Sequence, residues 1–159
     1  MKIAILHDYL NQWGGAERVL EALAELFPEA DLYTLLYDEK KLGGKFKSNL
    51  VKTSFLDTPL VRNYHRFFIP LMPLASRLLK PMFRGRTSKT YDLVISDTAG
   101  YAKGFNIQGK LHISYCHTPL RYAWEKKYLK DLPDLLKFVS KIFGNPIQNY
   151  LKNWDRSAS

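Results

Sequence analysis

The chain has 159 residues, room for one domain with its own core but hardly for two. With 46% hydrophobic and 25% charged residues it is neither disordered nor fibrous, and its single cysteine excludes a disulfide framework or a multi-cysteine zinc site and favours a reducing compartment. The net charge of +9 asks for an anionic partner, whether nucleic acid, a membrane surface or a phosphorylated small molecule.

Lys2 to His7 (KIAILH) is a nearly continuous apolar run, the pattern of a strand buried on both faces. It is too short for a secretory signal, since His7 and Asp8 interrupt it. After a loop, Asp8 to Gly14, the spacing predicts a helix from Gly15 to Phe27, ended by Pro28. Val19, Leu20, Leu23, Leu26 and Phe27 share one face; Glu17, Glu21 and Glu25 line the other. Asp31 to Tyr37 reads as a second strand, giving a parallel unit with a right-handed crossover. Gly43 and Gly44 lie in a lysine-rich loop, and Leu50 to Leu56 is a candidate third strand. One or two helices broken at Pro70, Pro73 and Pro81 are expected from Leu60 to Phe83. The longest apolar run, Phe67 to Ala75, contains two of those prolines and is too short to span a bilayer.

Strand character returns at Tyr91 to Asp97 and Leu111 to Cys116, and Leu120 to Ser159 reads as helical with turns near Pro133 and at Gly144–Pro146. The alternation predicts an α/β fold, a mostly parallel sheet with helices on both faces, over residues 1–159 as one domain. Leu151 to Ser159 lacks a cap, a closing strand or a polar tail, so a fragment of a longer chain is expected.

In open parallel sheets ligands bind beyond the carboxyl ends of the strands. Three such ends carry polar or glycine-rich sequence: His7-Asp8 through Gly14-Gly15, Ser96-Asp97-Thr98 and His117-Thr118-Pro119. Gly14 and Gly15 open a helix, where backbone N–H groups can hold a phosphate; the alternative is a tight strand-to-helix turn. Neither a dinucleotide fingerprint nor a Walker A loop is present. His117, just past a strand expected to be buried, suits donating a hydrogen bond to a sugar hydroxyl or assisting proton transfer, or else a structural role. A metal site is not expected: His112 and His117 have opposite strand parity, and His112 and Cys116 are ~13 Å apart at strand rise. Cys116 is expected to be a buried small hydrophobe. No carboxylate pair or nucleophile motif argues for hydrolysis or covalent catalysis, and whether Asp8 and Asp97 approach each other is open.

Between Asp57 and Asp92 there is no acidic residue, but Arg62, Arg66, Arg77, Lys80, Arg84, Arg86 and Lys89 are interleaved with aromatic and aliphatic side chains. Such a stretch suits an interfacial helix on anionic lipid, or a core-packing helix with a solvated basic face. Nucleic acid is not expected, because no recognisable nucleic-acid module accompanies the charge.

Lys2 to Val19 (KIAILHDYLNQWGGAERV), Tyr91 to Asp97 (YDLVISD) and Tyr115 to Trp124 (YCHTPLRYAW), in this order and spacing, resemble the N-terminal domain of the family-four retaining glycosyltransferases. The resemblance covers essentially the whole chain and implies the first half of a two-domain GT-B architecture. It implies hexosyl transfer from a nucleotide-sugar, bound mainly by a second domain absent here, to a sugar or lipid-linked acceptor. By position it implies that Gly14 and Gly15 approach the donor diphosphate and that His117 faces the transferred sugar. Asp8, Tyr9, Ser96, Asp97 and Arg121 match the acceptor-side rim, although Arg121 and Tyr122 equally suit bracing the His117 loop. It implies same-face attack assisted by the leaving phosphate, without a protein nucleophile, metal or cofactor beyond the substrate. A cytoplasmic protein, peripheral on the inner face of the plasma membrane, is the matching expectation. Without the donor domain the chain is expected to be inactive. The competing readings are a non-catalytic module for a phosphorylated ligand and a basic membrane-docking domain.

Overall fold

The apolar run at the N-terminus forms strand β1, Ile3–His7, and its two faces meet two separate cores. Ala4 and Leu6 join one with Tyr33, Val94 and Met72, whereas Ile5 joins the other with Leu20 and Leu32. A strand covered on both sides needs no polar alternation. In the computed structural model, which describes residues 1–46, 50–80, 90–125 and 134–158, β1 is the centre of a five-stranded sheet. The others are β2 (Asp31–Thr34), β3 (Val51–Thr53), β4 (Tyr91–Thr98) and β5 (Gly109–Cys116), in the order β3–β2–β1–β4–β5, with every pairing parallel. This is a Rossmann-like α/β fold.

Helix α1 (Gly15–Leu26) covers one face; α3 (Pro59–Tyr64), α4 (Met72–Leu78) and α6 (Asp134–Ala158) cover the other. Two one-turn helices, α2 (Glu39–Leu42) and α5 (Arg121–Trp124), complete the set. Local chemistry sets several ends. Thr58 caps α3 by accepting from the Val61 amide, with Pro59 in the first turn, and Gly43 closes α2 at a φ of 61°. Trp124 Nε1 and Lys103 Nζ both reach Asp155, tying α5 and the turn after β4 to α6. Gly104 belongs there because a Cβ would collide with the Trp154 ring.

Several expectations need correction. The second strand ends at Thr34 rather than Tyr37, because the Asp8 carbonyl takes both the Leu35 amide and the Thr34 hydroxyl, leaving only a Leu10–Tyr37 bridge. The third stops at Thr53, where the Ser54 hydroxyl donates to Leu35 O and accepts from the Leu56 amide. Glu17, read as solvent-facing, is buried at 5% exposure, and Leu26, read as core, is 71% exposed. Only Glu17 and Leu20 of α1 are buried, with Leu23 and Ala24 partly covered, so the helix presents Glu17 to the end of β1. No turn interrupts α6 at Gly144–Pro146. Pro146 removes one amide donor, a local cost that burial of Leu151 and Trp154 and the Asp155 contacts outweigh. The expected turn at Pro133 lies outside the described residues.

Strand β5, expected to be buried, is exposed along most of its length, with Leu111, Ile113 and Tyr115 half-open and Cys116 exposed. The reason is position: among the described residues no strand pairs with its outer edge. Between residues 59 and 79 the chain faces two ways. Val61, Ile69, Met72, Ala75 and Leu79 enter the core, while Leu60, Tyr64, Phe67, Leu71, Leu74 and Leu78 recur every three or four residues as an exposed apolar stripe. No helix among the described residues is long and apolar enough to cross a membrane.

Candidate functional site

Strand order reverses between β1 and β4, and connections leaving such neighbours diverge to opposite faces, opening a crevice beyond their carboxyl ends. A cleft of about 480 Å³ lies there. Its lining includes Asp8, Tyr9, Gly14 and Gly15 from the loop after β1, Gly100 and Tyr101 from the loop after β4, and Arg121 and Tyr122 from α5. Three segments far apart in the sequence thus converge.

Gly14 is extended (φ −150°, ψ −158°), and neither it nor Gly15 has positive φ. A left-handed turn is therefore not what either glycine supplies. A Cβ on Gly15 would meet nothing within 4 Å, whereas one on Gly14 would stand 2.9 Å from Glu17 Oε2. The first intrahelical bond runs from the Arg18 amide to Gly14 O at 3.3 Å, so the Gly15 and Ala16 amides precede the hydrogen-bonded ladder. Burial opposes ionisation of Glu17, but His7 and the amides of Glu17 and Gly14 outweigh it and hold the carboxyl below its ordinary pKa. Its place three residues after the N-cap is the signal that finds it in the sequence, since an N3 glutamate reaches back to the cap amide.

Asp8 spends its carboxylate on the loop after β4. Oδ1 accepts from Thr98 Oγ1 (3.0 Å) and the amides of Tyr101 (2.7 Å) and Ala102 (2.6 Å), and Oδ2 from the Ala99 amide (2.7 Å). Asp97, which faces His7 across the β1–β4 register, is fully buried, with Oδ2 2.9 Å from His7 Nδ1 and Oδ1 2.6 Å from His117 Nε2. Asp97 lies on β4 and Asp8 just beyond the end of neighbouring β1, yet each serves different donors. Neither forms the paired carboxylates that hydrolysis uses. On His7, burial works against the charged ring, but the hydrogen bond to Asp97, the Glu17 carboxylate 3.8 Å away and the charge of Asp8 prevail and push its pKa up to about 9.

Ser96 is buried below the cleft, its hydroxyl 2.8 Å from His112 Nε2. His117 is outside the lining and keeps a fifth of its side-chain surface open (20%), with its amide on Thr98 O (2.8 Å) and the Tyr115 ring edge-on at 4.9 Å. Arg121 Nε donates to Thr118 Oγ1 at 3.3 Å, so it braces the His117 loop as well as lining the cleft. Tyr9 is partly covered, its ring near those of His65 and Tyr101; burial and the neighbouring Tyr101 and Asp8 push its hydroxyl pKa well up.

Of the basic residues, Arg62 is engaged by Asp57, Nε at 2.6 Å and Nη2 at 3.0 Å. Arg66, placed by the sequence with a lipid-facing group, lines the cleft beside His65. Arg77 and Lys80 are exposed, and Arg84, Arg86 and Lys89 lie outside the described residues. Glu17, His65, Arg66 and Tyr101 are cleft side chains that sequence reasoning did not assign to this site.

No protein-family model, curated protein or solved structure matches the chain.

Proposed function

We propose that this chain is the acceptor-side domain of a retaining glycosyltransferase, moving a hexosyl group from a nucleotide-sugar to a sugar or lipid-linked acceptor. The observation that carries the reading is Gly15, open space in front of its Cα and no backbone need for glycine, at a helix start beside a cleft. A glycine that neither packing nor turn geometry requires suits close approach of a ligand to the Gly15 and Ala16 amides. A diphosphate is the fitting group, because the helix dipole and Arg66 supply positive potential there. In the transition state the glycosyl carbon gains cationic character and the departing diphosphate gains charge, which preoriented amides stabilise most when that charge develops. The departing phosphate then takes the acceptor proton on the same face, so the chain needs no nucleophile of its own. A second Rossmann-like domain supplies the base and sugar contacts of the donor.

Transfer is tested with the protein carrying that second domain, by presenting a panel of nucleotide-sugars with sugar and lipid-linked acceptors and following the anomeric configuration of the product by NMR. A product of retained configuration supports the reading. Saturable binding of a phosphorylated ligand without transfer to any acceptor assigns the cleft to a non-catalytic module instead.

A membrane-facing role is favoured by a separate observation. The exposed stripe from Leu60 to Leu78 is flanked by Arg77 and Lys80, an arrangement that suits the surface of an anionic bilayer and delivery of a lipid-linked acceptor.

A further inference from the structure

We propose that Asp97 is a positioning residue that locks His117 as the tautomer with its Nε2 proton turned inward, leaving Nδ1 to accept a hydrogen bond from a substrate hydroxyl, and that His7 clamps Asp97 in that role. The consequence for transfer rests on the glycosyltransferase reading; the geometry stands apart from it.

An ionised carboxylate only accepts hydrogen bonds. Asp97 is fully buried, and both its oxygens meet imidazole nitrogens, Oδ2 at 2.9 Å from His7 Nδ1 and Oδ1 at 2.6 Å from His117 Nε2. Each ring therefore turns a proton toward it. For His117 this assigns the proton to Nε2 by partner chemistry. With its proton on Nε2, the ring offers Nδ1 as an acceptor, the reverse of the donor role that the sequence suggested. A sugar hydroxyl meeting it must give its proton, and an analogue lacking that hydroxyl leaves Nδ1 unsatisfied.

His7 is held from three sides. Asp97 on β4 faces Nδ1, Glu17 on α1 stands 3.8 Å from Nε2, and Asp8 in the loop after β1 is the adjacent charge. With one carboxylate at hydrogen-bond distance from Nδ1 and another at ion-pair distance from Nε2, the ring carries both protons, in keeping with its raised pKa. An imidazole fixed on one oxygen stops the Asp97 carboxyl from rotating, so its other oxygen stays aimed at His117. The chain Glu17–His7–Asp97–His117 thus joins the α1 N-terminus to the end of β5, the two places the transferase reading assigns to diphosphate and sugar.

The test is two-bond ¹H–¹⁵N correlation spectroscopy of the histidine-labelled chain near neutral pH, on wild type, Asp97→Asn and His7→Gln. Wild type should show His117 with a protonated Nε2 and a bare Nδ1. Asp97→Asn, nearly isosteric and able to donate as well as accept, should lose that fixed pattern, while His7→Gln, which keeps a donor to Asp97, should retain most of it. His117 carrying its proton on Nδ1 in wild type, or ring shifts unchanged by Asp97→Asn, would overturn the proposal. In the two-domain protein, Asp97→Asn should lower kcat about 10²-fold or more with KM for the donor within about twofold. An unchanged kcat in an enzyme shown to transfer also overturns it. If the tautomer responds as expected and no nucleotide-sugar is turned over by wild type, the positioning stands and the transferase reading fails.

Discussion

The carboxylate of Glu17 lies against the backbone of Gly14, close enough that a Cβ there would stand 2.9 Å from Oε2, whereas Gly15 beside it has open space. The two glycines therefore answer to different demands. Gly15→Val should weaken binding of a nucleotide-sugar or pyrophosphate with a stability change within about 1 kcal/mol. Gly14→Val should lower both, because it displaces Glu17 from the cap. Thermal melts read beside calorimetric titrations separate them; parallel losses in Gly15→Val would return that glycine to a turn-making role.

His117→Ala should cut turnover of the two-domain enzyme about 10²–10³-fold, the equivalent of roughly 2–4 kcal/mol, with donor binding much less affected. The reason is a hydrogen bond realised mainly as the transferred sugar changes shape. Turnover at the wild-type rate would leave the residue a structural role on Asp97.

Asp8→Ala should destabilise the chain by about 3 kcal/mol or more in urea denaturation, because it strands the Thr98 hydroxyl and the amides of Ala99, Tyr101 and Ala102. A loss below about 1 kcal/mol would mean that water replaces the carboxylate and that the loop after β4 is held elsewhere.

Stability should fall between pH 6.5 and about pH 9. His7 binds its proton more tightly folded, with a pKa near 9, than at its ordinary 6.5, so its contribution is complete below 6.5 and is lost as pH rises through 9. The shift corresponds to roughly 3 kcal/mol across that window. Glu17, whose folded pKa is depressed, acts in the opposite sense: its contribution is present above its ordinary pKa of 4.5 and is lost as pH falls through the folded value. Denaturation midpoints at several pH values should show the alkaline slope in wild type and a flatter one in His7→Gln.

Vesicle co-sedimentation tests the exposed stripe. Binding should need anionic lipid, fade at high salt, and weaken about fivefold for each of Arg77→Gln and Lys80→Gln, at about 1 kcal/mol per cation. Leu71→Asp combined with Leu74→Asp should reduce it further without unfolding the chain, since both side chains are exposed. Absence of binding at low salt would remove the membrane role.

What the amino-acid sequence determined by itself was the succession of elements and the α/β class, because burial on two faces leaves a readable apolar run at Ile3–His7 and α1 is periodic and bounded by Gly14 and Pro28. It also marked Gly14, Gly15, Asp8, Asp97 and His117, since each lies at a strand end. Which of these meet, and how, belonged to the tertiary structure. Residues ninety apart, His7 and Asp97, become partners only through the β1–β4 pairing, and nothing local encodes a parallel register. The same holds for exposure. Leu111, Ile113 and Cys116 carry a buried strand's composition, yet a strand is buried only by its neighbours, and β5 lies at the edge of the described sheet. Glu17 makes the complementary case: a carboxylate on a solvated helix face by periodicity alone, it is drawn inward by His7, a charge that the helix itself does not contain.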